Sequence, residues 1–456
     1  MWTSPIYKFR EPDIAVDSDS IDLHEIVFDV TLSAPPFKEP SEGLKEILNE
    51  LLKRDDIDSV LEFGAAKLKN IPFILSYSKS VCVVEFKELL DNSITKKNIV
   101  ECKKYGDRFQ KLLFPNPFIE DNKEYDLVLL LNVIPVMPIP AERMYLLDLI
   151  YHKVKDKKYV LWVAQKEGSY KKIREDGKNS CGDGIWMGKS RYFKTFYRYY
   201  PVEELDELMA LYGFELVKRF SVSDDARLYR KTDYNLFTGI ITPEKILQYI
   251  PEDNTIKDPN SVIPKIVTKS STIKPIIANP NIFSIESLYI EKIRNINKGV
   301  RFAEEYHRIV SHALARIFRG SLRNMIMKVN IDGGIKIVDT VFSNYATQGF
   351  FKNLKDKVEC SYPIFEVKNI SVDPQNTEFD QLNGRLNDNT GHFGILVCRS
   401  VEKEQDVIQR CKTFRPNNLI LYLTDDDIIT LLEYSREKNV IEIDNFMDVK
   451  LRNILF

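Results

Sequence analysis

Two stretches decide how the first half of this chain is read: residues 60–66, Val60-Leu61-Glu62-Phe63-Gly64-Ala65-Ala66, and residues 81–85, Val81-Cys82-Val83-Val84-Glu85. Each is a short apolar run ending at an acidic residue or a glycine and flanked by charged sequence, the mark of a buried parallel strand. A glycine turn after the first strand lets the backbone approach a ligand. An acidic residue closing the second, about 20 residues on, can take both hydroxyls of a ribose.

The same texture extends in both directions. Strands are predicted at Ser59–Phe63, Val81–Glu85, Tyr125–Leu131, Tyr159–Ala164 and Phe214–Phe220, with helices at Ser41–Lys53, Ala141–Lys153 and Pro201–Tyr212. The last helix opens on Pro201 and carries Glu203 and Glu204 in its first turn, as a helix N-terminus prefers. Strands alternating with amphipathic helices imply an α/β fold with a parallel sheet. The expected layout is an N-terminal extension (1–40), a Rossmann-like domain (41–232), a proline-rich linker (233–298) and a second α/β domain (299–456).

With 456 residues and 44% hydrophobic side chains, the chain can bury real cores. Its 65 Lys and Arg nearly cancel 67 Asp and Glu, so any basic footprint for nucleic acid must be local. Six cysteines without a CxxC pair, and five histidines without HxxxH, speak against a zinc cluster and a disulfide framework. The N-terminus lacks a signal-peptide pattern. The longest apolar run, Leu127–Ile139, is broken by Pro135 and Pro138 and is too short to span a bilayer. A cytoplasmic protein with no membrane partner is expected.

Residues 60–85 resemble the class I S-adenosylmethionine-dependent methyltransferases, whose first motif is (D/E)xGxGxG. Of its glycines only Gly64 is kept; Ala66 and Leu68 stand at the later two positions. The resemblance implies that Glu62, Gly64, Glu85 and Asp107 bind S-adenosylmethionine, Asp107 by contacting adenine. Tyr125–Asn132 followed by Ala141-Glu142-Arg143 matches that family's fourth strand and next helix. A Rossmann-like dehydrogenase is the competing reading, but GxGxxG is absent.

The second domain opens with an amphipathic helix on which Phe302, Tyr306, Ile309, Val310, Ala313 and Ile317 repeat at helical spacing. Strands Met325–Asn330 and Ile335–Phe342 follow, joined at Asp332-Gly333-Gly334. Alternation on the second places Ile335, Ile337, Asp339 and Val341 on one face, a carboxylate among apolar side chains. Glu366 and Lys368 repeat the anomaly on strand Pro363–Asn369. Asp339 with Glu366-Val367-Lys368 looks like the D…(D/E)xK signature of the PD-(D/E)xK nucleases, restriction-endonuclease-like α/β/α proteins. That resemblance implies Mg²⁺ held by Asp339, Glu366 and the Val367 carbonyl. It also implies Lys368 at the attacking water, and supporting roles for Glu305, for Gln381 on a helix near Thr377–Asn387, and for Arg399 on phosphate. The plainer reading of an isolated ExK is an edge strand with charged residues.

Residues 166–200 interleave nine Lys and Arg with eight aromatics, a composition that suits nucleic acid and equally suits a packed hairpin. Together these readings give a prokaryotic defence-type protein: a Mg²⁺-dependent endonuclease of DNA, RNA not being excluded, with a methyltransferase-like domain that binds S-adenosylmethionine. A homodimer is left open. The alternative is a methyltransferase of nucleic acid or a small molecule carrying an inert nuclease-like interaction module.

Overall fold

The computed structural model describes residues 6–10, 25–33, 39–166, 168–176, 179–188, 193–222, 225–233, 235–239, 276–277, 284–331 and 336–456. The chain divides into two compact units, Met1–Phe283 and Ser284–Phe456.

In the first unit the strands are β1 (Ile6–Arg10), β2 (Glu25–Asp29), β3 (Ser59–Phe63), β4 (Ser80–Glu85), β5 (Phe109–Leu113), β6 (Tyr125–Leu131), β7 (Val154–Ala164), β8 (Ser180–Cys181), β9 (Gly184–Met187), β10 (Phe193–Tyr197), β11 (Phe214–Ser221), β12 (Asp225–Lys231) and β13 (Ile276–Ile277). Seven of them form one sheet in the order β5-β4-β3-β6-β7-β12-β11. The first five are mutually parallel, and β12 runs antiparallel to both β7 and β11. Five parallel strands ordered outward from β3 and β6 make a doubly wound, Rossmann-like sheet. A dinucleotide-binding sheet continues with a sixth parallel strand; the reversed β12 departs from that order and from the dehydrogenase reading.

β3 is buried along its whole length, and β4 and β6 nearly so, because helices cover both faces. The helix Glu42–Leu52 shows how: Ser41 caps it, and Leu44, Ile47, Leu48, Leu51 and Leu52 turn one stripe onto the sheet. At the far end of the strands Asp126 pins β6 to β3. Its Oδ2 accepts from the amides of Asp58 (3.1 Å) and Ser59 (2.9 Å) and from the Ser59 hydroxyl (2.7 Å), while Oδ1 accepts from Lys155 (2.9 Å). These hydrogen bonds hold the Asp126 carboxyl below its usual range despite the burial that opposes them.

The segment read as an N-terminal extension supplies β1 and β2, which join a second sheet in the order β13-β1-β2-β10-β9-β8. Of the segment read as linker, β13 pairs with β1, and a helix at Ile285–Asn295 belongs to the second unit, packing against helices Ala303–Ile317 and Asp425–Arg436. Linker positions 234, 240–275 and 278–283 lie outside the described residues.

The second unit holds a five-stranded sheet: β14 (Leu322–Ile331), β15 (Lys336–Asn344), β16 (Ile364–Lys368), β17 (Phe393–Cys398) and β18 (Leu419–Leu423), in that order. β14, β15 and β16 pair antiparallel; β16, β17 and β18 pair parallel. The expected turn Asp332-Gly333-Gly334 lies outside the described residues. The face expected for Asp339 is corrected. Val338, Thr340 and Phe342 form the buried side of β15, whereas Ile337 is exposed and Asp339 half-buried. Apolar residues on both sides of β15 made either register readable from sequence, and the packing of the Ala303–Ile317 helix chooses the even one: His307 and Ser311 both hydrogen-bond Thr340.

Replacing Asp126 by Ala takes the carboxylate acceptor away from all four of its donors. The unfolding free energy in urea is expected to fall by about 2–3 kcal/mol.

Candidate functional site

Where the strand order reverses, between β3 and β6, a crevice opens at the carboxyl ends of the strands. It is lined by Phe63 and Gly64 after β3, Val84 and Glu85 at the end of β4, Phe114 after β5, and Asn132 and Val133 after β6. Counting its solvent-open part, the pocket encloses about 790 Å³. Tyr7 of β1, and Val30 and Ser33 just after β2, contribute to its wall.

The loop after β3 carries the site's main geometric signature. Gly64, Ala66 and Leu68 all adopt left-handed backbone, with φ of 70°, 49° and 60°. These are the three positions at which the methyltransferase motif has glycine. The loop keeps that conformation although two glycines are replaced, each at a cost of roughly 1–2 kcal/mol. Leu68 is fully buried in the core under the sheet, which offsets its strain. At Gly64 a Cβ would come within 2.6 Å of Val133 Cγ2, so glycine is required there on two counts.

Glu85 closes the loop. Its Oε2 accepts from the Ala66 amide (2.7 Å) and its Oε1 from the Phe86 amide (2.8 Å). Burial nonetheless pushes the carboxyl up to about 7. Each oxygen keeps a second lone pair, so a diol donor can still be received beside the apolar slot of Phe86, Leu89 and Phe114. Glu62, also raised to about 7 by burial, accepts from Asn70 Nδ2 at 2.5 Å through Oε1, while its buried Oε2 has no hydrogen-bond partner. Asp107 is not brought to this site. It precedes β5, at the amino end of the sheet, is exposed, and does not line the pocket; Phe114 holds the opposite end of β5.

Sequence reasoning missed Asn132, Tyr7 and Glu142. Asn132 (φ 58°) donates its amide to the Val163 carbonyl (2.7 Å) and accepts from the Gln165 amide (3.0 Å), tying the end of β6 to β7. Tyr7 donates its hydroxyl to Glu142 Oε2 at 2.7 Å in a buried contact. Only an Asn at the end of an apolar strand hinted at the first; nothing in a sequence separation of 135 residues could announce the second.

Within the basic, aromatic stretch, the described side chains of Trp186, Phe196, Tyr197 and Tyr200 are buried. Lys194 lies over the Trp186 ring and donates to the Gly188 carbonyl (2.9 Å). Arg198 pairs with Asp183 (2.8 Å) and Glu204, and Arg143 also pairs with Asp183. These ion pairs tie the second sheet to the helices Pro140–Lys153 and Val202–Leu211.

In the second unit Asp339, Glu366, Lys368 and Gln381 do come together. Lys368 Nζ lies 2.7 Å from Glu366 Oε1 and donates to Gln381 Oε1 at 2.8 Å. Asp339 Oδ2 accepts from the Val367 amide at 3.0 Å. Arg385, two residues past the helix that carries Gln381, pairs with Glu366 as well. Glu305 is not part of this group and pairs with Lys292 at 2.5 Å; His307 takes its place, its Nε2 3.0 Å from the Asp339 carbonyl oxygen. Arg399, expected to meet phosphate, is buried and held by Asp425 (2.6 Å), Asn369 (3.1 Å) and the Ile293 carbonyl (3.3 Å).

No family model matches the chain, and neither does any curated protein. Solved structures similar to it include three methyltransferases. The 1,6-didemethyltoxoflavin-N1-methyltransferase of Burkholderia thailandensis has 18% identity, covers 42% of this chain and 78% of its own, and gives a TM-score of 0.32. A SAM-dependent methyltransferase of Methanosarcina mazei has 13% identity, covers 42% and 99%, and gives 0.34. The CcbJ methyltransferase of Streptomyces caelestis has 14% identity, covers 44% and 98%, and gives 0.33. The sheet order makes the first unit a Rossmann-like fold. The expected metal-dependent endonuclease is corrected: no group of three His, Cys, Asp or Glu among the described residues is placed to hold a metal ion. Nor, among those residues, is any helix long and apolar enough to cross a membrane.

Gly64→Ala is expected to lower unfolding free energy by about 1–3 kcal/mol, whereas Ala66→Gly, which relieves strain, should not lower it. Glu62 gives a pH signature. Its carboxyl is raised in the folded state, so its contribution is fully present below about pH 4.5 and is lost as pH rises through 7. In urea unfolding, Glu62→Gln should gain on the wild type over that window by on the order of 3 kcal/mol.

Proposed function

We propose that the chain is an S-adenosylmethionine-dependent methyltransferase of a small, largely apolar acceptor, and that its second unit is a non-catalytic interaction module. The observation that carries this reading is the run of left-handed residues Gly64, Ala66 and Leu68 at the strand-order reversal, closed by Glu85. A loop strained at two non-glycine positions persists where function over-determines it.

The donor set fits the cofactor. Glu85 would receive the ribose hydroxyls on its remaining lone pairs, Phe86, Leu89 and Phe114 would enclose the base, and the loop at 64–68 would let the amino-acid portion approach the backbone. The cofactor supplies an activated methyl group on a sulfonium. What the protein must add is acceptor position, exclusion of water and a polar handle. Beside Glu85, Tyr7 (held by Glu142), Ser33 and Asn132 are the polar groups at the pocket wall. A small acceptor is favoured over nucleic acid because four aromatics of residues 166–200, Trp186, Phe196, Tyr197 and Tyr200, are buried in packing.

Binding of S-adenosylhomocysteine, followed by calorimetry, tests the reading. Saturating ligand should raise the melting temperature by several degrees, and Gly64→Val should abolish binding. Because the diol is best received by an ionised Glu85, affinity should rise between pH 6 and 8, up to tenfold per unit below the carboxyl's midpoint. Glu85→Gln should flatten that profile. Absence of binding by the folded wild type would overturn the proposal.

A further inference from the structure

The second unit retains the sequence signature of a metal centre, yet its side chains are arranged against one. Glu366 lies in the middle of the sheet with no exposed surface, flanked by β15 and β17. A carboxylate so placed must be compensated. Its compensation comes from Lys368 on its own strand and from Arg385.

Arg385 reaches this position because the helix Asn376–Asn383 stops at Gly384. The Gly384 amide turns back to the Asp380 carbonyl (2.9 Å) and the Arg385 amide to that of Leu382 (3.0 Å). That turn brings the guanidinium inward, where only 6% of the residue remains exposed. Burial disfavours its charge, and the carboxylate of Asp339 is what opposes that effect. Arg385 thus interacts with both carboxylates that a metal would need. Asp339 and Glu366 carry two negative charges; Lys368 and Arg385 carry two positive ones. A divalent ion added to this neutral set would bring an uncompensated double charge into a buried site. Mg²⁺ further demands near-octahedral oxygen ligands at short range, and both carboxylates already have partners.

We infer that Arg385 is the resident cation of the Asp339–Glu366 cluster, occupying the place of a divalent ion and converting a metal-type constellation into a closed ion network. The network fastens β15, β16 and the 376–383 helix to one another without any ligand. This goes beyond the methyltransferase reading and does not depend on it.

The probe is Mn²⁺ alone, titrated into the full chain at pH 7.5 and counted from the electron paramagnetic resonance signal of the free ion. Wild type is expected to take up no stoichiometric Mn²⁺ up to about 1 mM, the weak end of protein sites for divalent ions. Arg385→Met should gain one site per chain, and adding Asp339→Asn should remove it again. Arg385→Lys, which keeps the charge, should stay closed. Arg385→Gln serves as a second, polar variant. Should both neutral variants lose cooperative unfolding while Arg385→Lys keeps it, the outcome supports the network, since removing one partner leaves a buried charge uncompensated. One Mn²⁺ per wild-type chain, lost in Glu366→Gln, would overturn the inference. So would Arg385→Met or Arg385→Gln that folds and gains no site. The S-adenosylhomocysteine titration reads the first unit separately, so failure of either idea is visible without the other.

Discussion

Parallel strands cannot be joined by tight turns. Each needs a crossover, and crossovers of one hand place successive helices on one face of the sheet until the strand order reverses. In the first unit that reversal falls between β3 and β6. The chain leaves β3 toward β4 and leaves β6 toward β7, so two neighbouring strands send their connections to opposite sides and a crevice must open between them. The left-handed loop at 64–68, the Glu85 carboxylate that takes the Ala66 amide, and the turn at Asn132 all answer this constraint. So does the Asp126 cluster, which fixes the other end of the same strand pair.

Both units bury carboxylates in the middle of a sheet, and they resolve the cost differently. Glu62 and Glu85 have amide donors but no cation in hydrogen-bonding contact, and burial keeps both carboxyls near 7. Glu366 has two cations beside it. The first arrangement leaves room for an incoming donor, and the second fills that room from within the chain. This contrast, rather than any single motif, separates the unit proposed to do chemistry from the one proposed to serve as a module.

Much of the fold was legible. The strands at 59–63 and 125–131 stand where their uniform apolar runs place them, and the helix at Glu42–Leu52 follows its heptad-like stripe and its Ser41 cap. The edge strands β5 and β11 are mostly exposed. β11 was still found, but β5 was not, since FQKLL reads equally as loop. The tryptophan and tyrosines of 186–200 could not be assigned from composition, because aromatic and basic side chains serve a packed hairpin as readily as a nucleic acid.

The sequence by itself determined the elements whose reason is local: apolar runs, caps, the glycine at 64 and the spacing from Glu62 to Glu85. It also carried the residues of the second cluster, Asp339, Glu366, Lys368 and Gln381, in their right order. Only the tertiary structure decided what those residues are to one another. Which side of β15 faces the core, whether Ala66 and Leu68 hold a glycine's conformation, and whether Glu366 meets a metal or Arg385 all depend on contacts across the fold. Burial turns a carboxylate's meaning on the nearest positive charge, and a sequence does not contain distances.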